Sequence, residues 1–361
     1  MTPQIMELEK RLKSLKKTTP EKADVLNELG WELWIRDPQR AIRICEKGFE
    51  ISKQINYDRG LAYAKRNLAL MLYAQTDVQK AMQYIFEALE WFRRNDDIVG
   101  EAYASIGLSF LYWGFGDYQK GFDSVTRALK LLEKSEDTSG LAWALNSLGQ
   151  FYYDWKDYKQ ALNYFKKAHQ LFSKQQSNQG KARTLNGMGN ALYFLGDTNK
   201  ALTYQQLSLK LNCEAKNKYG ESKTLNDIGL ILQNTGDYKG ALEYHQKSLT
   251  IREKLKYPQG ISTNLLDIGQ IYIKQKKYDQ ALVILKKALD VAKKIKAKPK
   301  MCRAHYALAS IFKELGQFEQ AYYHHEKFHK IEEEVFHEDS EKKFKNLKSA
   351  YEVEASRKEA E

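Results

Sequence analysis

The segment TLNGMGNALYFLGDTNKALTYQQLSL, residues 184–209, is followed 40 residues later by TLNDIGLILQNTGDYKGALEYHQKSL, residues 224–249. Apolar residues of the second segment recur at spacings of three and four, at Leu225, Ile228, Ile231 and Leu232. This spacing is the period of an amphipathic helix. Each segment therefore predicts two helices joined by a short turn, and nothing in the chain alternates with the period of a strand.

Small residues repeat with the same period along almost the whole chain. The first series is Ala41, Ala81, Gly121, Ala161, Ala201, Ala241, Ala281 and Ala321. The second is Gly60, Gly100, Gly140, Gly180, Gly220 and Gly260, and the third is Ala69, Ser109, Gly149, Gly189, Gly229, Gly269 and Ala309. A fixed period of this size indicates a stacked array of repeats, here eight copies. Such an array presents surfaces and not closed catalytic pockets, so we predict that the chain is not an enzyme.

The predicted turn inside each repeat has its own chemistry. Gly-Asp recurs there at Gly116–Asp117, Gly196–Asp197 and Gly236–Asp237. Gly tolerates a positive φ after the first helix, and Asp caps the second helix. The first repeat has Asp37–Pro38 at this point, a cap followed by a helix-initiating proline, and its turn is one residue shorter.

The order of a small residue, an aromatic residue or Leu, and then Tyr-x-x-Ala resembles the tetratricopeptide repeat. Matching stretches are Leu148–Gly149 with Tyr152, Tyr158 and Ala161, and Ile268–Gly269 with Tyr272, Tyr278 and Ala281. The usual repeat has about 34 residues. The longer repeat here resembles the variant found in kinesin light chain, in the spindle scaffold Pins and in the N-terminal sensor arrays of bacterial signalling proteins. The resemblance implies an all-α, right-handed α-solenoid of eight helix–turn–helix repeats.

We divide the chain into an N-terminal helical extension, residues 1–19, the eight repeats, residues 20–336, and a charged C-terminal helix, residues 337–361. The last segment holds no Gly or Pro. Its residues Phe344, Leu347 and Tyr351 are spaced as in a short coiled-coil seam, through which two copies of the chain would pair. We interpret this helix either as a cap on the last repeat or, by resemblance to bacterial sensors, as a connector to an effector domain.

Composition excludes several classes. The chain of 361 residues has no apolar run near the roughly 20 residues needed to cross a membrane, and its N-terminus lacks an apolar signal segment. Its cysteines, Cys45, Cys213 and Cys302, form no metal or redox pattern, and Cys45 falls on a core-facing position. We predict a cytoplasmic protein with reduced thiols, no cofactor and no membrane partner.

Positive charge is concentrated in the seventh repeat. From Lys274 to Arg303 there are ten Lys and one Arg against Asp279 and Asp290. We interpret these lysines as the solvated face of an outer helix, with a dock for an acidic partner or nucleic acid as the alternative. No nucleic-acid-binding motif accompanies them, so we do not expect nucleic acid.

The sequence His325-Glu326-Lys327-Phe328-His329 matches the zinc-protease motif H-E-x-x-H. His325 nevertheless has the same position in its repeat as His245 two repeats earlier. We therefore interpret it as a repeat feature, predict no metal site, and keep zinc hydrolysis through His325 and His329 as the alternative.

By the resemblance, the first helix of each repeat lines the concave face. Aromatic positions there are Tyr63, Tyr73, Tyr103, Phe110, Trp113, Trp143 and Tyr153. Other positions are Asn146, Gln150, Arg183, Asn186, Asn190, Tyr193, Lys223, Asn226 and Gln233. An amide carries a donor and an acceptor and pairs with both groups of a peptide unit. We therefore predict a groove that binds a peptide or partner segment, with its Asn side chains facing solvent; packing of the aromatics between neighbouring first helices is the alternative.

The resulting prediction is a protein-interaction module that resembles the regulatory input region of a bacterial signalling protein. Its alternatives are a free-standing scaffold or adaptor and, from another class, an enzyme through an effector domain that follows Glu361. A kinase or cyclase motif in the reading frame after Glu361 would favour the sensor.

Overall fold

The computed structural model describes residues 3–34, 37–74 and 77–335, together with Lys348 and Tyr351. No strand occurs among these residues, and the regular structure is helical throughout. The chain divides into two compact units, residues 1–151 with 343–361 (unit 1) and residues 152–342 (unit 2).

Unit 1 contains the shorter part of the array. Its helices are α1 (Pro3–Ser14), α2 (Pro20–Leu33), α3 (Pro38–Gln54), α4 (Asp58–Ala74), α5 (Val78–Arg94), α6 (Ile98–Phe115), α7 (Tyr118–Leu132) and most of α8 (Thr138–Asp154). The predicted N-terminal extension is thus helical in α1, which packs on α2.

Unit 2 continues the same alternation. Its helices are α9 (Tyr158–Lys174), α10 (Asn178–Phe194), α11 (Thr198–Glu214), α12 (Lys218–Asn234), α13 (Tyr238–Lys254), α14 (Pro258–Lys274), α15 (Tyr278–Lys294) and α16 (Lys298–Glu314). A further helix, α17, begins at residue 318 and is described to residue 335. None of the described helices is long and apolar enough to cross a membrane.

The predicted turn chemistry is confirmed. Gly116, Gly196 and Gly236 have φ values of 84°, 87° and 88°. The carboxylates of Asp117, Asp197 and Asp237 each accept a hydrogen bond from a backbone N–H of the following helix. In the first repeat, Asp37 caps α3, which begins at Pro38.

Packing within unit 2 distinguishes an inner from an outer side. The first helices α10, α12, α14 and α16 each contact the next first helix, whereas the described second helices α11, α13 and α15 do not contact one another. The first helices therefore lie on the inside of the curve. We call the side of unit 2 that these first helices form the inner face, and Arg183, Asn186, Asn190, Tyr193, Lys223, Asn226 and Gln233 of the predicted site all belong to first helices.

The interiors of the repeats differ in chemistry. Phe92 and Phe172 are fully buried at the same position of their second helices. Asn212 and Arg252, at this position in the following repeats, are 5% and 7% exposed. Polar and charged groups therefore replace aromatic rings in the middle of unit 2. Cys45 is buried as predicted, and its burial raises the thiol pKa to about 12.

The small residue of the first helix makes room for one side chain of the second. At Gly229 an added Cβ would lie 2.7 Å from Cε1 of His245. In the structure the His245 ring fills the room that the glycine leaves. Gly189 has the same relation to Gln205, and Gly269 to Leu285.

Part of the predicted C-terminal helix is described. The hydroxyl of Tyr351 donates to Oδ2 of Asp117 at 3.2 Å, and Nζ of Lys120 lies 4.0 Å from the centre of the Tyr351 ring. Phe344 and Leu347 lie outside the described residues, so the coiled-coil seam stays a prediction.

Gly229→Leu should destabilise the protein by about 1–3 kcal/mol, because the new side chain collides with the His245 ring. Chemical denaturation measures the change. Combining it with His245→Ala should recover part of the loss, since the smaller side chain frees the room. Equal effects of Gly229→Leu with and without His245→Ala would contradict this contact.

His245 should make the protein sensitive to acid. Its ring is fully buried, and neither ring nitrogen has a hydrogen-bond partner among the residues that the structure describes. Burial together with nearby Arg252 lowers its pKa from 6.5 to about 4. The unfolded chain therefore binds more protons than the folded one between these values, and stability is lost as pH falls through them, by on the order of 3 kcal/mol.

His245→Leu should remove this share of the pH dependence, because Leu285 fills the same position one repeat later. Denaturation of both proteins across pH 6.5 to 4 tests the expectation. The other histidines with lowered pKa values, His169, His305 and His324, are unchanged in both. If the free energy of unfolding falls equally for both proteins between pH 6.5 and 4, His245 is not the cause of the acid sensitivity.

Candidate functional site

The predicted aromatic positions of unit 1 divide into exposed and packed side chains. Phe110 and Trp113 are 37% and 43% exposed on α6. Trp143 on α8 is half-buried. The side chain of Tyr73 lies outside the described part of the structure.

Tyr63 and Tyr103 pack between neighbouring first helices, as in the alternative interpretation of the aromatics. The Tyr63 hydroxyl donates to Oδ2 of Asp97 at 2.8 Å, and burial raises the pKa of this phenol. The guanidinium of Arg66 lies 4.8 Å from the Tyr63 ring centre and 5.5 Å from that of Tyr103. These rings therefore have a structural role whether or not they also contact a partner.

The expectation that the amides face solvent is wrong for three of them. Asn146, Asn186 and Asn226 are 4%, 7% and 6% exposed. The physical reason is that these positions point between adjacent first helices as well as toward the inner face. Gln150, also in unit 1, is exposed, and Asn190 is half-buried.

In unit 2 the buried amides form hydrogen bonds between repeats. Nδ2 of Asn186 donates to Oε1 of Gln205 at 2.9 Å and to Oδ2 of Asp227, one repeat later, at 2.7 Å. Nε2 of Gln205 donates to Oδ1 of Asn190 at 2.7 Å. One second-helix side chain therefore holds two inner-face amides in place.

In the next repeat the buried amides Asn226 and Asn264 bond to each other and to the cation Arg252. Oδ1 of Asn226 accepts from Nδ2 of Asn264 at 3.0 Å. Nη1 of Arg252 donates to Oδ1 of Asn264 at 2.7 Å and to the carbonyl of Gly260 at 3.0 Å. We call Asn186, Gln205, Asp227, Asn226, Arg252 and Asn264 the polar ladder.

The polar ladder leaves two amide atoms unused. Oδ1 of Asn186 accepts no hydrogen bond and Nδ2 of Asn226 donates none to any described residue. The two residues as a whole are 7% and 6% exposed. One repeat thus has a free acceptor, Oδ1 of Asn186, and the next has a free donor, Nδ2 of Asn226. The second polar atom of each amide is hydrogen-bonded, and these bonds fix the side-chain rotamer.

Two carboxylates on the inner helices were not predicted. Burial raises the pKa of Asp227, while the positive charge of Lys223 and the hydrogen bonds from Asn186 and Asn190 oppose this. Asp267, one repeat later, is 4% exposed; burial also raises its pKa, and Arg303, with Nη2 3.1 Å from Oδ1, opposes it.

The sequence holds a signal from which this charged interior could have been predicted. Arg252 occupies the position that Phe92 and Phe172 fill in other repeats, and Asp227 occupies that of Gly187. A charge at a core position of an otherwise regular repeat indicates a site with a specific partner, because an unpaired buried charge is costly.

The remaining predicted residues of unit 2 lie at the surface of the inner helices. Arg183 and Lys223 are exposed, and Tyr193 and Gln233 are half-buried. Tyr153 packs against Phe194 with ring centres 5.9 Å apart, and burial raises its pKa to about 12.

The H-E-x-x-H match lies on α17. The rings of His325 and His329 have their centres 4.5 Å apart, and both side chains are exposed. Within residues 3–34, 37–74 and 77–335, no three His, Cys, Asp or Glu side chains come together as a metal site.

Comparison with protein families identifies the repeat. A model described as tetratricopeptide repeat matches residues 100–174, 140–214, 180–254, 220–294 and 260–334, which together span more than half of the chain. A model described as anaphase-promoting complex subunit 5 matches residues 34–106 alone. A search of curated proteins finds no match.

Several solved structures resemble this one. A Rap protein complexed with competence and sporulation factor has a TM-score of 0.63 at 17% identity, over 88% of this chain and 99% of that one. A signal transduction ATPase with numerous domains, carrying a tetratricopeptide repeat sensor, from Pyrococcus horikoshii has 0.68 at 17%, over 93% and 54%. The apo quorum sensor NprR from B. thuringiensis has 0.56 at 14%, over 86% and 99%. At these identities the likeness shows the fold alone.

Asn186→Ala combined with Asn226→Ala should lower stability, in contrast to the expectation for solvent-facing amides. Each change leaves buried partners of the polar ladder without a hydrogen bond, which costs about 1–3 kcal/mol per site. Chemical denaturation measures this loss. Asn199→Ala, the same change at an exposed position on α11, is the control and should change stability little. A double variant as stable as the wild type would show that the ladder does not contribute.

Proposed function

Because the chain belongs to the tetratricopeptide repeat family, we propose that it is a protein-interaction module that binds an extended segment of a partner protein on the inner face of unit 2. The free acceptor of Asn186 and the free donor of Asn226 carry this proposal. An extended segment presents N–H and C=O groups along its length, and an amide atom on each repeat matches one of them.

The rigidity of these atoms supports binding. Asn186 is held by Gln205 and Asp227, and Asn226 by Asn264, so their free atoms are already oriented before a partner arrives. Preorganised groups lose less conformational entropy on binding. Exposed Arg183 and Lys223, each one helical turn before its Asn, flank the amides and add long polar side chains to the same face.

The structural relatives are consistent with this use of the fold. The Rap protein is complexed with competence and sporulation factor, and the ATPase from Pyrococcus horikoshii uses its repeats as a sensor. We propose by analogy that the present array is a regulatory input region that responds to its bound segment. A free-standing scaffold is the second candidate, because the inner face would serve either role. Phe110 and Trp113 of unit 1 stay predicted contacts, and so do the other positions named from the sequence.

The test begins with identifying the segment. A photo-crosslinking amino acid at Lys223 should capture a partner from the source cell, and the same amino acid at Lys210, exposed on the outer helix α11, is the control. The captured segment is then synthesised and titrated against purified protein.

Arg183→Ala with Lys223→Ala should weaken binding of that segment about tenfold or more, as expected for lost hydrogen bonds to charged groups. Lys210→Ala with Lys254→Ala makes the same change of charge on outer helices and should leave binding unchanged. These surface variants are preferred to the Asn variants because they remove none of the hydrogen bonds of the polar ladder. Loss of binding in the outer pair but not in the inner pair would place the site on the outer face and refute the proposal.

A further inference from the structure

Three cationic side chains surround one carboxylate on the inner helices of unit 2. Nη2 of Arg303, on α16, lies 3.1 Å from Oδ1 of Asp267, on α14. Lys300, one turn before Arg303, donates from Nζ to the carbonyl of Gln259. Arg252 reaches the same region from the outer helix α13. We call Arg252, Lys300 and Arg303 the cation cluster.

Only one of these cations is paired. Arg252 is 7% exposed, and its Nη1 donates to neutral oxygens of Gly260, Asn264 and Asn226. Its Nε is buried without any acceptor. Among the described residues neither Arg252 nor Lys300 forms an ion pair, so the three positive charges share the single carboxylate of Asp267.

The neighbouring charges do not restore the balance. Asp227 also acts on Arg252, but Lys223 lies close to Asp227 and offsets it. Burial lowers the pKa of Lys300, the positive charges of Arg252 and Arg303 lower it further, and the negative charge of Asp267 opposes them. The free protein therefore holds these cations against their mutual repulsion.

The start of α16 adds to the positive potential. Lys300 lies in its first turn, and the capping position, Ala297, has no side chain that accepts a hydrogen bond. The first helices α6, α10 and α12 begin with an accepting side chain, at Asp97, Ser177 and Asn217, whereas α14 has no side-chain cap at Tyr257. A helix N-terminus favours negative charge, yet here the chain supplies cations instead.

We propose that Lys300 and Arg303 of the cation cluster bind an acidic stretch of the partner segment through its Asp or Glu side chains, with the charge of buried Arg252 adding to the positive potential. The location of the segment rests on the proposed function, and the new element is its chemistry. A carboxylate between Lys300 and Arg303 would relieve the repulsion that the free protein retains, and charge-assisted hydrogen bonds to it are strong.

The surroundings favour a protein segment over nucleic acid. Asp227 and Asp267 interrupt the positive charge of the inner face, which suits a few spaced carboxylates and not a continuous row of phosphates. Lys286, Lys287, Lys293 and Lys294 are exposed on α15, a second helix on the outer side. They therefore do not extend the cation cluster into one track.

Lys300→Gln is the decisive variant because it separates binding from stability. It removes a repelled charge, so the melting temperature should stay the same or rise. Affinity for an acidic segment should fall about tenfold, as for the loss of one charge-assisted hydrogen bond. Lys287→Gln makes the same change on α15 and should leave affinity unchanged.

The probes are synthetic peptides of equal length in which the same alternating positions carry Glu, Gln or Lys, titrated by fluorescence anisotropy at low and physiological salt. The Glu peptide should bind the wild type most tightly, and Lys300→Glu should shift the preference toward the Lys peptide. A single-stranded DNA oligonucleotide is titrated in parallel.

Equal affinity for the Glu and Gln peptides would overturn the inference and leave the proposed function standing. An affinity for the Glu peptide that does not change on Lys300→Gln would have the same consequence. Failure of every peptide to bind would also overturn the inference. The proposed function fails separately if Arg183→Ala with Lys223→Ala leaves binding of the crosslinked partner unchanged. Lys300-dependent binding of DNA in place of the Glu peptide would identify a nucleic-acid site. A drop in melting temperature that matches the loss of affinity would assign Lys300 a structural role.

Discussion

Each of several repeats depends on one close approach, in which a glycine of the first helix accepts a single side chain of the second. The pairs are Gly189 with Gln205, Gly229 with His245 and Gly269 with Leu285, always 16 residues apart. In the first repeat Gly30 meets Cys45, one residue nearer in sequence, because the turn there is one residue shorter. A larger residue at the glycine would have to displace that side chain, so the small residue fixes how the two helices of the repeat meet.

The side chain at this position then decides the chemistry of the repeat. Leu285 makes an apolar interior, whereas Gln205 reaches past Gly189 to bond Asn186 and Asn190. Buried polar groups are costly unless they are satisfied, and once satisfied they specify a single arrangement. The polar ladder is therefore both a structural element between repeats and the support that orients the amide atoms of the inner face.

The same interior explains why charge accumulates near the end of unit 2. Arg252 takes the place of a core aromatic ring and bonds to neutral oxygens, so its charge is not cancelled. Lys300 and Arg303 add to it, and the carboxylate of Asp267 offsets part of this charge. Positions that break the local rules of a repeat are expected at functional sites. Here Arg252 donates a hydrogen bond to Asn226, one of the two amides on which the proposed function rests.

The sequence by itself determined the repeat unit, the turns and the family, because glycine spacing and helical periodicity are local properties of the chain. It placed Gly116, Asp117 and Cys45 correctly. Only the tertiary structure decided that Asn146, Asn186 and Asn226 are buried, that Tyr63 bonds to Asp97, and that Arg303 pairs with Asp267 near the charges of Arg252 and Lys300. These contacts join residues one or more helices apart, and their distances depend on how far each helix is rotated against the next. That rotation is set by packing between repeats, so it cannot be predicted from the sequence pattern of a single repeat.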